Sequence, residues 1–392
     1  MNNINLLDKR ICTGCRMCEQ ICPFEAIKIV KNAEGFIEPM IMQDKCKMCG
    51  LCAQNCPQLN SNKINAQMQV VYAVKNKNLE ERKQSSSGGA FSVLANYVLD
   101  NNGIVYGCAL NNDLLPEHIA ISDKQELHKL RGSKYVQSDT KNTYKEARKD
   151  LNNGQIVLYS GTPCQIAGLK AFLDKEYKNL ITIDLVCHGV PSPKLFRKYL
   201  DWLEQKYKAK VIQYEFRNKE KNGWGLTSKI IFSNNKIKYI NASIDPYYNA
   251  FLKSDTYREV CYSCKYANEN RVSDITLADY WGIQDKNIEF YDENGVSAVI
   301  INTKRGMEIF EKVLPKCDYV VSKISDVEEK NHNLKTPSMR SNIRNDIYNQ
   351  LDKKEFKEFI KENLKFKPNL KDILKNLVPT ALKKQIKKFI RK

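Results

Sequence analysis

The sequence contains no run of about 18 apolar residues, so nothing in it is expected to span a membrane. It has no secretory leader at its start, where polar residues and a cysteine motif arrive at once; the reading is a protein of the reducing cytoplasm. Histidine is scarce, four in 392 residues, and residues 1–62 have none. The mixed Cys/His ligand sets of many zinc sites are therefore absent there. No helix-turn-helix, zinc finger or aromatic-basic RNA motif accompanies the formal net charge of +18, so no specific nucleic acid is expected. The basic excess points instead to an anionic membrane surface or to acidic partner proteins. Cysteine, by contrast, is plentiful: fourteen residues, which in a reducing compartment hold metal rather than disulfides. Hydrophobic content of 42% suffices for real cores, and the length allows about two to three domains.

Eight of the cysteines form two copies of C-x2-C-x2-C-x3-C-P, at Cys12-Cys15-Cys18-Cys22-Pro23 and Cys46-Cys49-Cys52-Cys56-Pro57. This is the ligand pattern of bacterial ferredoxins with two [4Fe–4S] clusters. Three cysteines two residues apart curl one loop around three iron corners, and the fourth turns away to the other cluster. Cys12, Cys15, Cys18 and Cys56 are thus assigned to one cluster, and Cys22, Cys46, Cys49 and Cys52 to the other.

Residues 60–69 are polar and aperiodic and read as a linker. A β-type run from Met68 to Val74 opens the next domain. Ser85-Ser86-Ser87-Gly88-Gly89 precedes an apolar helix at about 90–99, a pattern that suits either a bound phosphate or a ligand-free helix start. Arg131, Lys134 and Tyr135 share a glycine-containing loop. Strands are expected at about 103–108, 156–159 and 181–186, with a helix between the last two, which indicates an α/β domain with parallel pairing. Cys164 and Cys187 follow its strands, where ligands gather in such sheets. A helix at about 192–206 and strands at 211–216, 226–233 and 236–240 suggest an antiparallel section. Cys261 and Cys264 form a C-x2-C pair, followed by strands at 274–279 and 296–302. Pattern alone leaves two readings of Cys164, Cys187, Cys261 and Cys264: a further cubane, or two buried thiols beside a zinc half-site. Cys108 and Cys317 read as core thiols.

The segments SSSGGAFSVL, GSKYVQS, SGTPCQIAGL, LVCHGVPSP and CYSCKY…SDITLADYWG, in that order behind a double-cluster module, resemble the coenzyme F420 hydrogenase/dehydrogenase beta-subunit family. The resemblance covers about residues 1–330, and the chain is similar to the bacterial polysaccharide-locus type. It implies FAD, a third [4Fe–4S] cluster on Cys164, Cys187, Cys261 and Cys264, and electron passage between clusters and flavin. It places Ser86, Ser87, Gly88, Gly89, Lys134 and Tyr135 around the flavin. Lys134 would stabilise negative charge there. His188 would donate a proton or orient the Cys187 loop, and Asp279 would bind a ribityl hydroxyl or cap its strand.

The expected architecture is a ferredoxin-like domain (1–62), then a mixed-sheet α/β flavin- and cluster-binding domain in two parts (63–155 and 156–335), then a helical basic tail (336–392). In the tail, Leu382, Ile386, Phe389 and Ile390 share one helical face against Lys383, Lys384, Lys387, Lys388 and Arg391. Such a helix lies on the inner membrane face or docks on its own domain. Expected partners are a ferredoxin or other low-potential donor and a small-molecule substrate, a sugar among the candidates. The alternative is an electron-transfer protein that feeds a partner enzyme.

Overall fold

The computed structural model describes residues 3–60 and 68–377. Most of the expected linker, and the tail helix beyond residue 377, lie outside the described residues. The two cysteine loops repeat each other in backbone conformation. Each turns through two left-handed residues at matching positions: Gly14 (φ 71°) and Arg16 (φ 62°), then Met48 (φ 54°) and Gly50 (φ 84°). That conformation strains a residue bearing a Cβ by about 1–2 kcal/mol, so Arg16 and Met48 adopt it against their own preference. A short helix follows each loop, Met17–Ile21 and Leu51–Gln54. Between the loops, β1 (Ile27–Lys31) and β2 (Ile37–Ile41) pair as an antiparallel hairpin, Ile27 opposite Ile41.

The remaining strands are β3 (Val70–Asn76), β4 (Ile104–Leu110), β5 (Pro116–Ile121), β6 (Val157–Gly161), β7 (Leu180–Leu185), β8 (Val211–Glu215), β9 (Thr227–Phe232), β10 (Ile237–Asn241), β11 (Ile275–Asp279), β12 (Ser297–Ile301) and β13 (Cys317–Ser322). Eight of them form one sheet in the order β13-β3-β12-β11-β7-β6-β4-β5. The centre, β11-β7-β6-β4, is parallel and both flanks are antiparallel, so the sheet is mixed as expected. Strands from 63–155 and from 156–335 share this sheet; residue 155 divides the sequence, not the fold. The helix Pro163–Leu173 joins β6 to β7 and starts in a capping box, Thr162 with Gln165, with Pro163 in its first turn. The helix Ala90–Asp100 packs Val93, Leu94 and Val98 on one face of the sheet beside Ile309 and Phe310.

The small sheet β10-β9-β8 and the helix Pro193–Tyr207 enclose an aromatic core of Phe196, Tyr199, Tyr214, Phe216, Phe232 and Tyr247. Residues beyond 335, expected as a polar tail, complete this core. The helices Arg344–Gln350 and Phe356–Glu362 bury Ile347, Phe356 and Phe359 there, with Leu351 between them. Their apolar residues are split between two short helices, which hides the period. Among the described residues no helix is long and apolar enough to cross a membrane.

The cysteine-loop module is docked on the body. Arg258, 4% exposed, donates from Nε to the Cys12 carbonyl (2.6 Å) and from Nη1 to the Ile37 carbonyl (2.9 Å). Thr140 Oγ1 donates to the Cys15 carbonyl (3.1 Å), and the Gln20 carboxamide oxygen accepts from the Tyr144 amide (3.0 Å). Arg344 forks onto Glu34 at the hairpin tip (2.6 and 2.5 Å).

Candidate redox site

The module encloses two recesses. One is lined by Cys12, Cys15, Cys18 and Cys56. The other is lined by Cys22, Cys46, Cys49 and Cys52. These are the two quartets assigned from spacing, with the fourth cysteine of each run crossing to the other recess. The left-handed turns curl each loop around its recess. Burial, with the Met17 amide opposing it, pushes the Cys15 thiol up to about 12.

Cys164, Cys187, Cys261 and Cys264 also come together. Cys164 sits in the first turn of the helix after β6, and Cys187 lies two residues past β7. Because β6 and β7 are parallel, both thiols reach the same carboxyl edge of the sheet. Cys261 lies in the 3-10 turn Glu259–Ser263, and Cys264 follows it. Every pair within the quartet is close enough to interact electrostatically. Burial, and then the neighbouring sulfurs, push Cys187 and Cys261 up to about 12 and raise Cys164 as well. Arg271 counters at Cys187 and Cys264. Its guanidinium is buried, donating to Asp184 (3.1 Å) and to the Leu185 carbonyl (3.1 Å). Among the described residues no three His, Cys, Asp or Glu side chains converge on a point that one ion could occupy; the sulfurs of the two module quartets instead line recesses. Four thiols crowded together with a nearby guanidinium suit a multi-iron cation, whose charge offsets thiolates that burial alone disfavours. The quartets adjoin: a Cβ added at Gly168, in the Cys164 helix, would lie 3.0 Å from the sulfur of Cys15.

The segments expected around a flavin meet at the same edge, on a residue the sequence reading missed. Arg217, just beyond β8, donates to both oxygens of Asp279 (2.9 and 3.1 Å), to Tyr135 Oη (3.1 Å) and to the Ser86 carbonyl (3.1 Å). This holds the Asp279 carboxyl below its ordinary range despite burial. Trp224 Nε1 also donates to Asp279 (2.8 Å), and its ring stacks on Trp281 with centroids 4.5 Å apart. Nothing in the spacing of Phe216-Arg217-Asn218 marks Arg217; only the register that brings β11 and its neighbours together does. Ser87 Oγ donates to the Val296 carbonyl (2.7 Å). A Cβ at Gly88 would lie 2.2 Å from the Val74 carbonyl oxygen, so this loop lies flush on the sheet. Gly89 (φ 87°) has no side chain with which to cap the helix Ala90–Asp100, whose first N–H groups stay available to an anion.

Lys134 does not join this group. Its Nζ donates to the carbonyls of Cys108 (2.7 Å), Arg131 (2.9 Å), Lys129 (3.1 Å) and Leu130 (3.2 Å), closing the end of the helix Leu127–Leu130. Its ammonium is held by these backbone carbonyls. His188 is exposed in a recess whose walls still lower its pKa, an effect that nearby Asp279 opposes. Ser338 Oγ holds its carbonyl (2.7 Å). Cys317 is buried and Cys108 half-buried, both within strands.

Family models match three stretches of the chain. A 4Fe-4S dicluster domain matches residues 11–60; the coenzyme F420 hydrogenase/dehydrogenase beta subunit N-term matches 71–144 and its C terminus matches 154–327. The chain is similar to a coenzyme F420-dependent sulfite reductase of Methanocaldococcus jannaschii, 23% identical over 313 residues, which are 78% of this chain and 46% of that protein. It is also similar to a subunit of the F(420)H(2) dehydrogenase of Methanosarcina mazei, 23% identical over 189 residues, 45% of this chain and 53% of that one. The chain thus spans about half the length of these curated relatives. A chain of the F420-reducing [NiFe] hydrogenase complex from Methanosarcina barkeri superposes with a TM-score of 0.47 at 17% identity, covering 70% of this chain and 92% of that one. By its two matching halves the chain belongs to the coenzyme F420 hydrogenase/dehydrogenase beta-subunit family, behind an iron–sulfur dicluster domain.

Proposed function

We propose that this chain is an iron–sulfur flavoprotein oxidoreductase carrying three [4Fe–4S] clusters and one FAD, acting on a small organic substrate. The Cys12 and Cys22 quartets would hold two clusters, and Cys164, Cys187, Cys261 and Cys264 the third. Ser86, Ser87, Gly88, Gly89, Tyr135 and Asp279, with Arg217 added, would hold the flavin. Clusters supply one-electron exchange and a flavin supplies two-electron exchange.

The carrying observation is the third quartet: four thiols from three distant loops meet at the sheet edge that also bears the Arg217–Asp279 pair. The chain's own residues prepare that edge. The Thr162 capping box fixes the turn that bears Cys164. Arg271 brings positive charge to the sulfurs. Arg217 and Trp224 fix the Asp279 carboxylate, and the paired indoles offer a planar apolar surface beside it. His188, exposed and within the electrostatic influence of Asp279, would exchange a proton with a substrate.

Anaerobically purified protein is expected to contain close to twelve iron atoms and one FAD per chain, by cubane stoichiometry. Eight irons without flavin would reject the reading and leave a carrier. A ferredoxin-like donor and a sugar substrate of surface-polysaccharide synthesis are the specific forms proposed.

A second reading is an electron-transfer protein that serves a partner enzyme. It is favoured by the M. mazei relative, which is one subunit of a dehydrogenase. Turnover by the purified single chain with a reduced donor supports the first reading; turnover only on adding a partner supports the second.

A further inference from the structure

We infer that the hydroxyl of Tyr266 donates a hydrogen bond to a sulfur of the iron–sulfur group on Cys164, Cys187, Cys261 and Cys264, and so raises its reduction potential. The inference rests on the reading that this quartet holds a cluster. Tyr266 is 2% exposed, and its hydroxyl is buried without a hydrogen-bond partner among the described residues. Other buried tyrosines nearby are satisfied: Tyr106 donates to Asp150 (2.6 Å), Tyr144 to the Gln165 carbonyl (2.8 Å), and Tyr159 pairs with Thr143 (2.7 Å). The hydroxyl of Tyr248 is also unpartnered, but its ring packs on Tyr135 and Phe251, in a different cluster.

Tyr266 belongs to a buried apolar cluster whose members include cysteines of all three quartets, Cys164 and Cys264 among them. Cys164, Cys15, Cys264 and Cys56 all lie within electrostatic reach of its phenol. Its position is fixed from both sides. Arg271 Nη1 holds the Tyr266 carbonyl (2.9 Å), and the adjacent Lys265 ammonium bonds to the carbonyls of Pro57 and Asn60 in the module. Tyr266 therefore stands at the seam between two cysteine quartets with an O–H to donate. A buried hydroxyl left unmade is unfavourable, and a sulfur is the acceptor class at hand. Hydrogen bonds to cluster sulfurs favour the more negative, reduced form, which raises the potential. Tyr266 would tune the group it touches and would not itself react.

The test uses full-length, anaerobically purified parent, Tyr266→Phe and Tyr144→Phe. Tyr144→Phe is the matched control: also fully buried and near Cys15 and Cys164, with a hydroxyl already bound to a backbone carbonyl. Potentiometric titration followed by electron paramagnetic resonance is expected to move one couple of Tyr266→Phe to lower potential, at unchanged iron content. The expected size is about tenfold in the oxidised-to-reduced ratio, ~59 mV for a one-electron couple. The control is expected to leave all couples in place. Pulsed measurements on the reduced protein should reveal an exchangeable proton coupled to a cluster, lost in Tyr266→Phe and kept in the control. Unmoved couples in Tyr266→Phe, or equal shifts in both variants, would overturn the inference while a twelve-iron count left the proposed function standing. Eight irons in the parent would overturn the cluster reading itself.

Discussion

His118 and Asp245 are two buried titratable residues whose effects on stability oppose each other. His118 donates from Nε2 to the Ser160 carbonyl (3.1 Å) and accepts at Nδ1 from Ser138 Oγ (2.8 Å), and burial lowers its pKa to about 4. The unfolded chain takes up this proton near pH 6.5, so stability falls as pH drops from 6.5 towards 4, by about 3 kcal/mol in full. Asp245 accepts from Tyr199 Oη (2.5 Å) and from the Tyr248 amide (2.9 Å), and burial raises it to about 6. Its contribution runs the other way: stability falls by about 3 kcal/mol as pH rises from 3.8 to 6. Relative to the parent, His118→Gln is expected to gain stability at pH 4.5 over pH 7, and Asp245→Asn to gain above pH 6. Thermal melts across that range check both; parallel profiles would refute them. At this scale the sequence grouped the module cysteines as the two recesses do, because spacing encodes how each loop curls. It overlooked Arg217, whose partners Asp279, Tyr135 and Ser86 are 62, 82 and 131 residues away.

Among the elements, the strands that sequence reading found are those at the centre of the sheet. β12 is buried along its whole length and reads as an apolar run. The two strands of this sheet that sequence reading missed, β5 and β13, are the two edges. β13 buries only Cys317 fully and leaves Val321 71% exposed, so its pattern does not separate an inner from an outer face. The helix Pro163–Leu173 lies directly against the module. Gly168 lets it approach within reach of Cys15 and of the Tyr144 hydroxyl, each 3.0 Å from where a Cβ would stand. Gly168→Val is expected to destabilise by about 1–3 kcal/mol through overpacking, and to speed iron loss in air. A lower melting temperature with unchanged secondary structure by circular dichroism is the signature; an unchanged melt would show that the helix can shift.

For the whole molecule, the module is held by Arg258 on its carbonyls as well as by apolar packing. Arg258→Ala leaves the carbonyls of Cys12 and Ile37 without that donor, and about 1–3 kcal/mol is expected to be lost per buried acceptor left unmet. Limited proteolysis should then release the module first, with its iron; release at the parental rate would argue against Arg258 as the clamp. The sheet has a further consequence for how the molecule comes into being. β3 leaves the ribosome early, yet its neighbours are β12 and β13, more than 200 residues later. At ordinary translation speeds it waits about 10–45 s for them. During that interval Val70–Asn76, with Val71, Ala73 and Val74 destined for full burial, is a sticky ribbon with no mate. A nascent chain stalled before residue 297 should consequently cling to chaperones, even when its leading iron-binding loops have already matured.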